Sequence, residues 1–243
     1  MKKYDKLLIW GDSLFQGITL NEETKTYIKL EGTCCADLAA KELDLQMENA
    51  AHFGYISDQG KRLLRRKLIL DEKAGIDNSN AIGLICFGGN DADHYWDEIA
   101  KAPDIDHVCR ASVKEFKKNM EVMVEFLREK NVTPVMMNLP AMDAQRYFNW
   151  ITRDFTEEDK AGLMKWLCGD VFQMYRFMEY YNDAAVEVAN NLGCMMIDIR
   201  SAFLNERGCS RFLCLDGIHP NEEGHKFIAD IIVKTVKEKL VND

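Results

Sequence analysis

Three residue types that act together in acyl transfer occur near the two ends of this chain. Ser13 follows a short apolar run and a Gly-Asp pair, whereas Asp216 and His219 lie on one turn near the other end. A serine hydroxyl becomes a nucleophile when a base takes its proton, and a carboxylate can hold a histidine base in the required tautomer. Gly-Asp-Ser is also a common turn and Asp-x-x-His a common capped turn, so each pattern alone leaves both interpretations open.

Two further residues could supply hydrogen-bond donors to the same reaction. Gly54 follows a short extended run, and Asn90 follows the apolar residues 81–87. The oxyanion that develops during acyl transfer needs donors that are already in place. The backbone N–H groups of Ser13 and Gly54 and the side-chain amide of Asn90 could provide them. As alternatives, Gly54 could be an ordinary loop glycine and Asn90 part of an ordinary turn.

All these residues are predicted to follow strands of one sheet. Strands are predicted at residues 6–10, 46–49, 81–87, 133–138 and 194–197, and apolar residues at helical spacing lie between them. This alternation predicts an α/β fold with three layers, in which helices cover both faces of a five-stranded parallel sheet. Because parallel strands end at one edge of the sheet, residues far apart in sequence can meet there.

The connections are predicted in less detail. Residues 16–32 are predicted to be a polar loop, and Ser112 and Glu115 form a capping box that starts a helix. One segment, residues 141–178, is longer than the fold needs and rich in aromatic residues, with helix starts at Thr156 and Asp170. It could be a lid or a wall of a substrate pocket, or instead extra core or a subunit interface.

Composition limits the classes of partner. The 243 residues include 31 basic and 40 acidic side chains, for a net charge of −9, and no basic block stands out. Nucleic acid and stable membrane association are therefore not expected. The apolar run near the amino terminus is too short for a signal peptide, and no run approaches the length of a membrane span.

The cysteines point to a reducing compartment. There are eight, without CxxC pairs or zinc spacing, which favours buried thiols in a cytoplasmic protein over disulfides or a metal site. No metal and no cofactor are expected. The chain is interpreted as one domain, residues 1–243, and homo-oligomerisation is left open.

Together the candidate residues lie in blocks of sequence that resemble those of a known family. Four blocks resemble those of the SGNH (GDSL) hydrolases, namely Gly11-Asp12-Ser13, Gly54, Gly88-Gly89-Asn90-Asp91 and Asp216-Gly217-Ile218-His219-Pro220. The resemblance implies Ser13 as nucleophile, His219 as base and Asp216 as the residue that orients it. It implies an oxyanion hole made by Ser13, Gly54 and Asn90. It also implies a flavodoxin-like fold with strand order 2-1-3-4-5.

The second block departs from the family pattern, and the departure concerns the shape of the acyl pocket. Bulky residues, among them His52 and Phe53, stand where family members often have small ones. Substrate contacts are expected from His52, Phe53, His94, Arg146 and Trp150. For each of these the alternative is a packing or surface role.

The sequence therefore predicts a metal-independent serine esterase that works through an acyl-enzyme. The expected substrate is a small acyl ester, such as an acetyl ester of a sugar or another metabolite. The alternatives are a lipase or thioesterase for longer acyl chains, and a non-catalytic ligand-binding module on the same fold.

Overall fold

The computed structural model describes residues 3–241, so the predicted domain limits at residues 1 and 243 lie outside the described part. The strands are β1 (Lys6–Gly11), β2 (Ile18–Asn21), β3 (Thr26–Lys29), β4 (Gln46–Asn49), β5 (Ala81–Cys86), β6 (Thr133–Met137) and β7 (Met195–Ile197). The helices are α1 (Ser13–Gln16), α2 (Cys35–Glu42), α3 (Ser57–Lys73), α4 (Gly89–Ala92), α5 (Trp96–Lys101), α6 (Val113–Glu129), α7 (Ala144–Ile151), α8 (Glu157–Trp166), α9 (Phe172–Asn191), α10 (Ile199–Asn205) and α11 (Glu222–Val236). Among these helices none is both long and apolar enough to cross a membrane.

Five of the strands form the main sheet, in the order β4-β1-β5-β6-β7. Each neighbouring pair runs parallel. Counted by themselves along the chain these strands have the order 2-1-3-4-5, so the predicted five-stranded parallel sheet and its order are confirmed. Gly11, the last residue of β1, pairs with Cys86, the last residue of β5. The segments that leave these two central strands therefore start side by side at one edge of the sheet.

Strand β5 shows why the sheet is covered on both faces. All six of its residues are buried. Because successive side chains of a strand point to opposite faces, Leu84 and Cys86 pack with α2 and α11, whereas Ile85 packs with α3, α6 and α9. Burial on both faces explains the continuous apolar sequence. The result is the predicted three-layer α/β/α arrangement.

Residues 16–32 differ from the predicted polar loop, because they contain the antiparallel hairpin β2-β3. Ile18 and Leu20 of β2 are buried. The Thr19 hydroxyl and the Leu20 N–H lie 3.2 and 3.4 Å from the sulfur of Cys214. Contacts with a residue almost 200 positions away thus stabilise the hairpin. Local turn residues alone therefore do not predict this hairpin.

The aromatic-rich segment 141–178 contains α7, α8 and the beginning of α9. The predicted helix start at Thr156 is confirmed, since its side chain caps the N–H of Asp159. Helix α9 begins at Phe172, two residues after the predicted start at Asp170, and continues without a break to Asn191. The helix predicted before the fifth strand therefore begins inside this segment.

A third apolar cluster joins this segment to the rest of the fold. Leu163 of α8 and Met174 of α9 pack with Trp96 of α5. At Gly162 an added Cβ would lie only 2.1 Å from the carbonyl oxygen of Ala100, at the contact between α8 and α5. The two helices can approach this closely only with glycine at that position. The segment is thus packed as additional core rather than as a free flap.

Candidate active site

Ser13 begins helix α1 directly beyond β1. Asp12 caps this helix, because its Oδ1 accepts a hydrogen bond from the N–H of Leu14 at 3.1 Å. An added Cβ at Gly11 would lie 2.8 Å from the ring of Phe15, so the strand can turn into the helix this tightly only with glycine there. The Gly-Asp-Ser sequence therefore has a local structural reason, and it leaves the Ser13 hydroxyl at the edge of the sheet.

The side chains of Ser13, His219 and Asp216 form one hydrogen-bonded chain. The Oγ of Ser13 lies 3.0 Å from Nε2 of His219, and Nδ1 of His219 lies 2.6 Å from Oδ2 of Asp216. His219 and Asp216 are buried, and Ser13 is partly exposed. With the imidazole proton on Nδ1, facing the carboxylate, Nε2 can accept the proton of the Ser13 hydroxyl. The structure thus brings the three predicted residues into an arrangement suited to nucleophilic catalysis by serine.

Asp216 is held as a carboxylate inside the protein. Burial raises its pKa, but the hydrogen bond and charge of His219 and the backbone N–H groups of His219 and Ile218 outweigh burial and leave the pKa below its ordinary value. Both N–H groups lie 3.1 Å from Oδ1. Such hydrogen bonds favour the charged form. Because Asp216 stays negative, it can hold the imidazole with Nε2 towards Ser13.

The loop that carries Asp216 and His219 rests against the start of α7. Gly217 has a φ of +75°, and an added Cβ there would lie 2.4 Å from the carbonyl oxygen of Asp143. In return, the N–H of Asp143 donates a hydrogen bond to the carbonyl of Gly217 at 2.8 Å. Glycine is needed here both for the left-handed backbone and for the close approach. Segment 141–178 therefore supports the position of His219.

Arg146 is expected from the sequence to contact substrate, but it lies outside the lining of the cavity beside Ser13. Its Nη1 donates to the carbonyl oxygens of Ser210 and Leu213 at 2.8 and 3.1 Å, and its Nε lies 3.4 Å from the carboxylate of Asp143. These contacts link α7 to the chain just before Asp216, and a substrate contact of Arg146 stays a prediction.

Gly54 and Asn90 line the same cavity as Ser13. The Asn90 amide donates one hydrogen bond to Oδ2 of Asp12 at 3.1 Å, which leaves its second N–H for a ligand. Arg110 contacts both candidate residues, since it donates to Oδ1 of Asn90 at 3.4 Å and to the carbonyl of Gly54 at 3.0 Å. Gly54 has a φ of +74°, a conformation that glycine adopts without strain. The three candidate oxyanion donors thus belong to the wall of one cavity.

A buried carboxylate, Asp91, connects the two loops that carry these donors. It accepts hydrogen bonds from the N–H and hydroxyl of Ser57 at 3.0 and 2.5 Å, and the Ser57 hydroxyl accepts one from Asn119 at 2.9 Å. Burial raises the pKa of Asp91 to about 6 in spite of these bonds. Asp91 directly follows Asn90, and Ser57 begins α3 shortly after Gly54. This contact therefore helps to set the spacing between the two candidate donors.

The cavity beside Ser13 has a volume of about 520 Å³, which is in the range of small-molecule sites. Three aromatic residues form a cluster next to His219, at one side of the cavity. The ring centroids of Tyr27 and Phe53 lie 4.9 and 6.0 Å from that of His219, and the ring of Trp150 lies 6.1 Å from Tyr27. Residues of segment 141–178 complete the wall. That segment is therefore a pocket wall as well as additional core.

The residues predicted to contact substrate divide by position. Phe53, His94 and Trp150 line the cavity, and His52 does not. The ring of His52 is exposed and stacks on Tyr55 at a centroid distance of 4.6 Å. The ring of His52 thus lies outside the cavity lining while its neighbour Phe53 occupies the wall, and a substrate contact of His52 stays a prediction.

The cavity wall also contains residues that are absent from the sequence-based expectations, among them Tyr27, Asp93 and Arg110. Burial, together with the negative charge of Asp216, raises the pKa of Tyr27, which keeps the phenol neutral beside His219. A sequence signal for Tyr27 exists, because β-branched and apolar residues flank a polar turn in 18–29, as in a hairpin. No local pattern distinguishes Asp93 or Arg110 from surface residues.

No cysteine lines the cavity beside Ser13. All eight cysteines are free thiols. Within residues 3–241, no group of three or more His, Cys, Asp or Glu side chains is arranged to hold a metal ion. The chemistry available at the site is that of its hydroxyl, imidazole, carboxylate and N–H groups.

We expect the Asp91→Asn variant to lose a pH-dependent part of the stability. The pKa of Asp91 is raised from 3.8 to about 6 by folding. Because the folded pKa is the higher one, the contribution is complete below about pH 4 and is lost as the pH rises through about 6. The shift corresponds to ~3 kcal/mol. In urea denaturation, the free energy of unfolding of the variant minus that of the wild type should rise by up to this amount between about pH 4 and pH 7.

Asp58→Asn is the matched control, at the partly exposed start of helix α3 and next to Ser57, the hydrogen-bond partner of Asp91. The hydrogen bond from Lys61 lowers the pKa of Asp58, so its contribution is present at neutral pH and is lost as the pH falls. The difference between this variant and the wild type should therefore have the opposite, smaller slope. A flat difference for Asp91→Asn over the same pH range would contradict the assignment.

The model of the GDSL-like lipase/acylhydrolase family matches residues 9–227. Among solved structures, the chain is similar to a lipase/acylhydrolase from Enterococcus faecalis, with 20% identity, coverage of 97% of this chain and 96% of that chain, and a TM-score of 0.65. It is similar to the psychrotrophic esterase EstA from Pseudoalteromonas sp., solved with monoethylphosphonate as inhibitor, with 16% identity, coverage of 98% and 100%, and a TM-score of 0.58.

A member of the lipolytic G-D-S-L family from Veillonella parvula is also similar, with 11% identity, coverage of 98% and 99%, and a TM-score of 0.62. At these identities the structural likeness shows the fold. No curated protein matches the sequence. The family model, which spans the chain from β1 into α11, shows more: the chain belongs to the GDSL-like lipase/acylhydrolase family and is an ester hydrolase.

Proposed function

We propose that the protein is a serine esterase that removes a small acyl group, acetyl in the first place, from a sugar or another metabolite through an acyl-enzyme. The observation that carries the proposal is the hydrogen-bonded chain from Ser13 through His219 to Asp216 at the wall of a cavity of about 520 Å³. Its setting is proposed to be the cytoplasm, which agrees with eight free thiols.

In this proposal the reaction begins at Ser13. Its Oγ attacks the ester carbonyl while Nε2 of His219, 3.0 Å away, takes the hydroxyl proton. Asp216 stabilises the imidazolium that forms and keeps its orientation. The carbonyl oxygen becomes an oxyanion and receives hydrogen bonds from the N–H groups of Ser13 and Gly54 and from the Asn90 amide. A single donor of this kind contributes about 3 kcal/mol to lowering the barrier.

The second half of the reaction uses the same groups in reverse. The His219 imidazolium donates its proton to the leaving alcohol, and the carbon–oxygen bond of the ester breaks to leave an acyl group on Ser13. A water molecule then loses a proton to His219 and attacks the acyl carbonyl. The Ser13–acyl bond breaks, the carboxylic acid leaves, and the hydroxyl of Ser13 is restored.

Replacement of Ser13 by alanine tests the central role. We expect Ser13→Ala to reduce kcat/KM for p-nitrophenyl acetate by at least about a thousandfold, because the nucleophile and its base act as a unit. Labelling by a fluorophosphonate, followed by mass spectrometry, should attach one probe to the wild type at Ser13 and none to the variant.

Ser79→Ala is the matched control for this experiment. Ser79 is exposed and hydrogen-bonded to Asp77 just before β5, at the opposite edge of the sheet from Ser13. This variant should react like the wild type in both assays. Unchanged turnover by Ser13→Ala would refute the esterase mechanism, and a wild type that neither turns over esters nor takes up the probe would favour a non-catalytic binding module.

The position of Arg146 predicts an effect on kcat rather than on substrate binding. Arg146→Met removes the hydrogen bonds to Ser210 and Leu213 that hold the chain before Asp216. A misplacement of catalytic groups by about 1 Å can cost roughly a hundredfold, so we expect kcat to fall by about ten- to a hundredfold while KM changes little. Steady-state kinetics on a variant with wild-type near-ultraviolet circular dichroism checks this.

The control is Arg176→Met, also within segment 141–178, which removes an exposed ion pair with Asp170. It should leave both constants near the wild-type values. A raised KM with unchanged kcat for Arg146→Met would instead support the sequence-based expectation of a substrate contact.

A series of p-nitrophenyl esters from acetate to palmitate tests the size of the acyl group. We expect kcat/KM to be highest for the shortest chains, because a long alkyl chain would displace water from the polar groups of the cavity without replacing their hydrogen bonds. A maximum at the long end of the series, towards palmitate, would support the lipase or thioesterase alternative.

A further inference from the structure

Two polar residues of the cavity wall have no role in the proposed reaction. Asp93 and His94 follow the Asn90 loop and line the same cavity. Oδ1 of Asp93 accepts hydrogen bonds from the indole N–H of Trp96 and the hydroxyl of Tyr147, both at 2.8 Å. Within the part of the chain that the structure describes, the second oxygen of this carboxylate has no hydrogen-bond partner. The side chain of Asp93 is thus held in place, and its second carboxylate oxygen can accept a further hydrogen bond.

His94 lies next to it, more than nine-tenths buried. Its ring is surrounded by those of Trp96, Trp166 and Phe177, at centroid distances of 5.1, 5.4 and 5.1 Å. Its Nδ1 is fully buried, so a ligand in the cavity can reach only Nε2, which has no hydrogen-bond partner among the described residues. Burial lowers the pKa of His94, and the charge of Asp93 offsets this only in part. The side chain is therefore a neutral imidazole, which can both donate and accept a hydrogen bond.

The surroundings of this pair are aromatic and apolar. Tyr147, Phe155 and Phe177 contribute rings to the wall, and Met174 contributes an apolar side chain. Such walls favour a flat or compact ring over a flexible chain. Polar groups that are buried without partners are rare and costly. A hydrocarbon chain would leave the carboxylate and the imidazole unpaired, whereas hydroxyl groups on a ring would pair with both.

We propose that Asp93 and His94, with the aromatic residues around them, form a subsite for an uncharged, hydroxyl-bearing ring of the ester substrate. The inference rests on the proposed ester hydrolysis and specifies what lies beside the reacting ester. The carboxylate accepts from a ring hydroxyl, and the imidazole donates to or accepts from a second. An anionic group is disfavoured by Asp93, and a cationic one would share the cavity with the guanidinium groups of Arg110 and Arg153.

The ring could belong to the alcohol or to the acyl part of the ester, and two pairs of probes separate these sources. Methyl 6-O-acetyl-glucopyranoside and cyclohexylmethyl acetate differ in the hydroxyl groups of an alcohol ring. Methyl 4-hydroxybenzoate and methyl benzoate differ in the hydroxyl group of an acyl ring. For each pair the quantity measured is the ratio of kcat/KM for the hydroxylated ester to that for the bare one. This ratio does not depend on the fraction of active protein.

In one of the two pairs we expect the wild-type ratio to exceed about ten, since a hydrogen bond to a charged or buried partner changes affinity by about that factor or more. His94→Phe keeps an aromatic ring of similar shape, and Asp93→Asn keeps one acceptor and replaces the other with a donor. Each variant should lower the ratio about tenfold, mainly through KM, because binding in the ground state is lost.

The controls are His107→Phe and Asp104→Asn, which should keep the wild-type ratio. His107 also contacts Trp166, at 6.2 Å, but lies outside the cavity lining, and Asp104 pairs with Lys165 at the surface. Ratios at or below one in both pairs, ratios unchanged in His94→Phe and Asp93→Asn, or a preference for choline acetate over both hydroxylated esters would overturn the subsite. In those cases the bare esters are still hydrolysed, whereas a wild type that hydrolyses none of the esters would overturn the proposed function itself.

Discussion

The hydrogen bond between Ser13 and His219 is the contact on which the rest of the site depends. It joins residues that are 206 positions apart, across 3.0 Å. Ser13 can form this hydrogen bond because β1, a central strand of the sheet, ends in a tight turn at Gly11. His219 reaches it because its loop is supported from outside the sheet. A shift of either side by an ångström would separate the hydroxyl from its base, so the parallel sheet and the loop supports both act on this one distance.

Segment 141–178 supplies much of that external support. Through Asp143 and Arg146 it holds the loop that leads to His219. Its helix α8 packs on α5. Helix α5 begins shortly after Asn90 of α4 and after the neighbouring residues Asp93 and His94. The same segment therefore fixes the catalytic loop and shapes the substrate cavity. Changes in its sequence are expected to alter specificity and catalytic geometry together, since one set of contacts serves both.

Burial has different consequences for the carboxylates at this edge of the sheet. It raises the pKa of Asp12 and of Asp91. The carboxylates of both residues accept hydrogen bonds from uncharged N–H or hydroxyl groups. Asp216 is also buried, but its hydrogen bonds and the charge of His219 together outweigh burial and lower its pKa. Asp216, the acid proposed to orient the base, is thus the one paired directly with an imidazole. Those with structural roles tolerate a higher pKa because their hydrogen bonds need only to hold loops in place.

Features that depend on neighbouring residues could be predicted from the sequence. They are the strand and helix periodicity, the capping box at Ser112 and the glycine turn before Ser13, and they predict the sheet and the position of the candidate nucleophile. Other features became visible only in the folded chain. The hairpin β2-β3 is stabilised by Cys214, and Arg146 contacts the chain before Asp216 and lies outside the cavity lining. His52 and Phe53 are adjacent in sequence, yet only one of them faces the cavity. These outcomes depend on partners distant along the chain, and local periodicity carries no information about such partners.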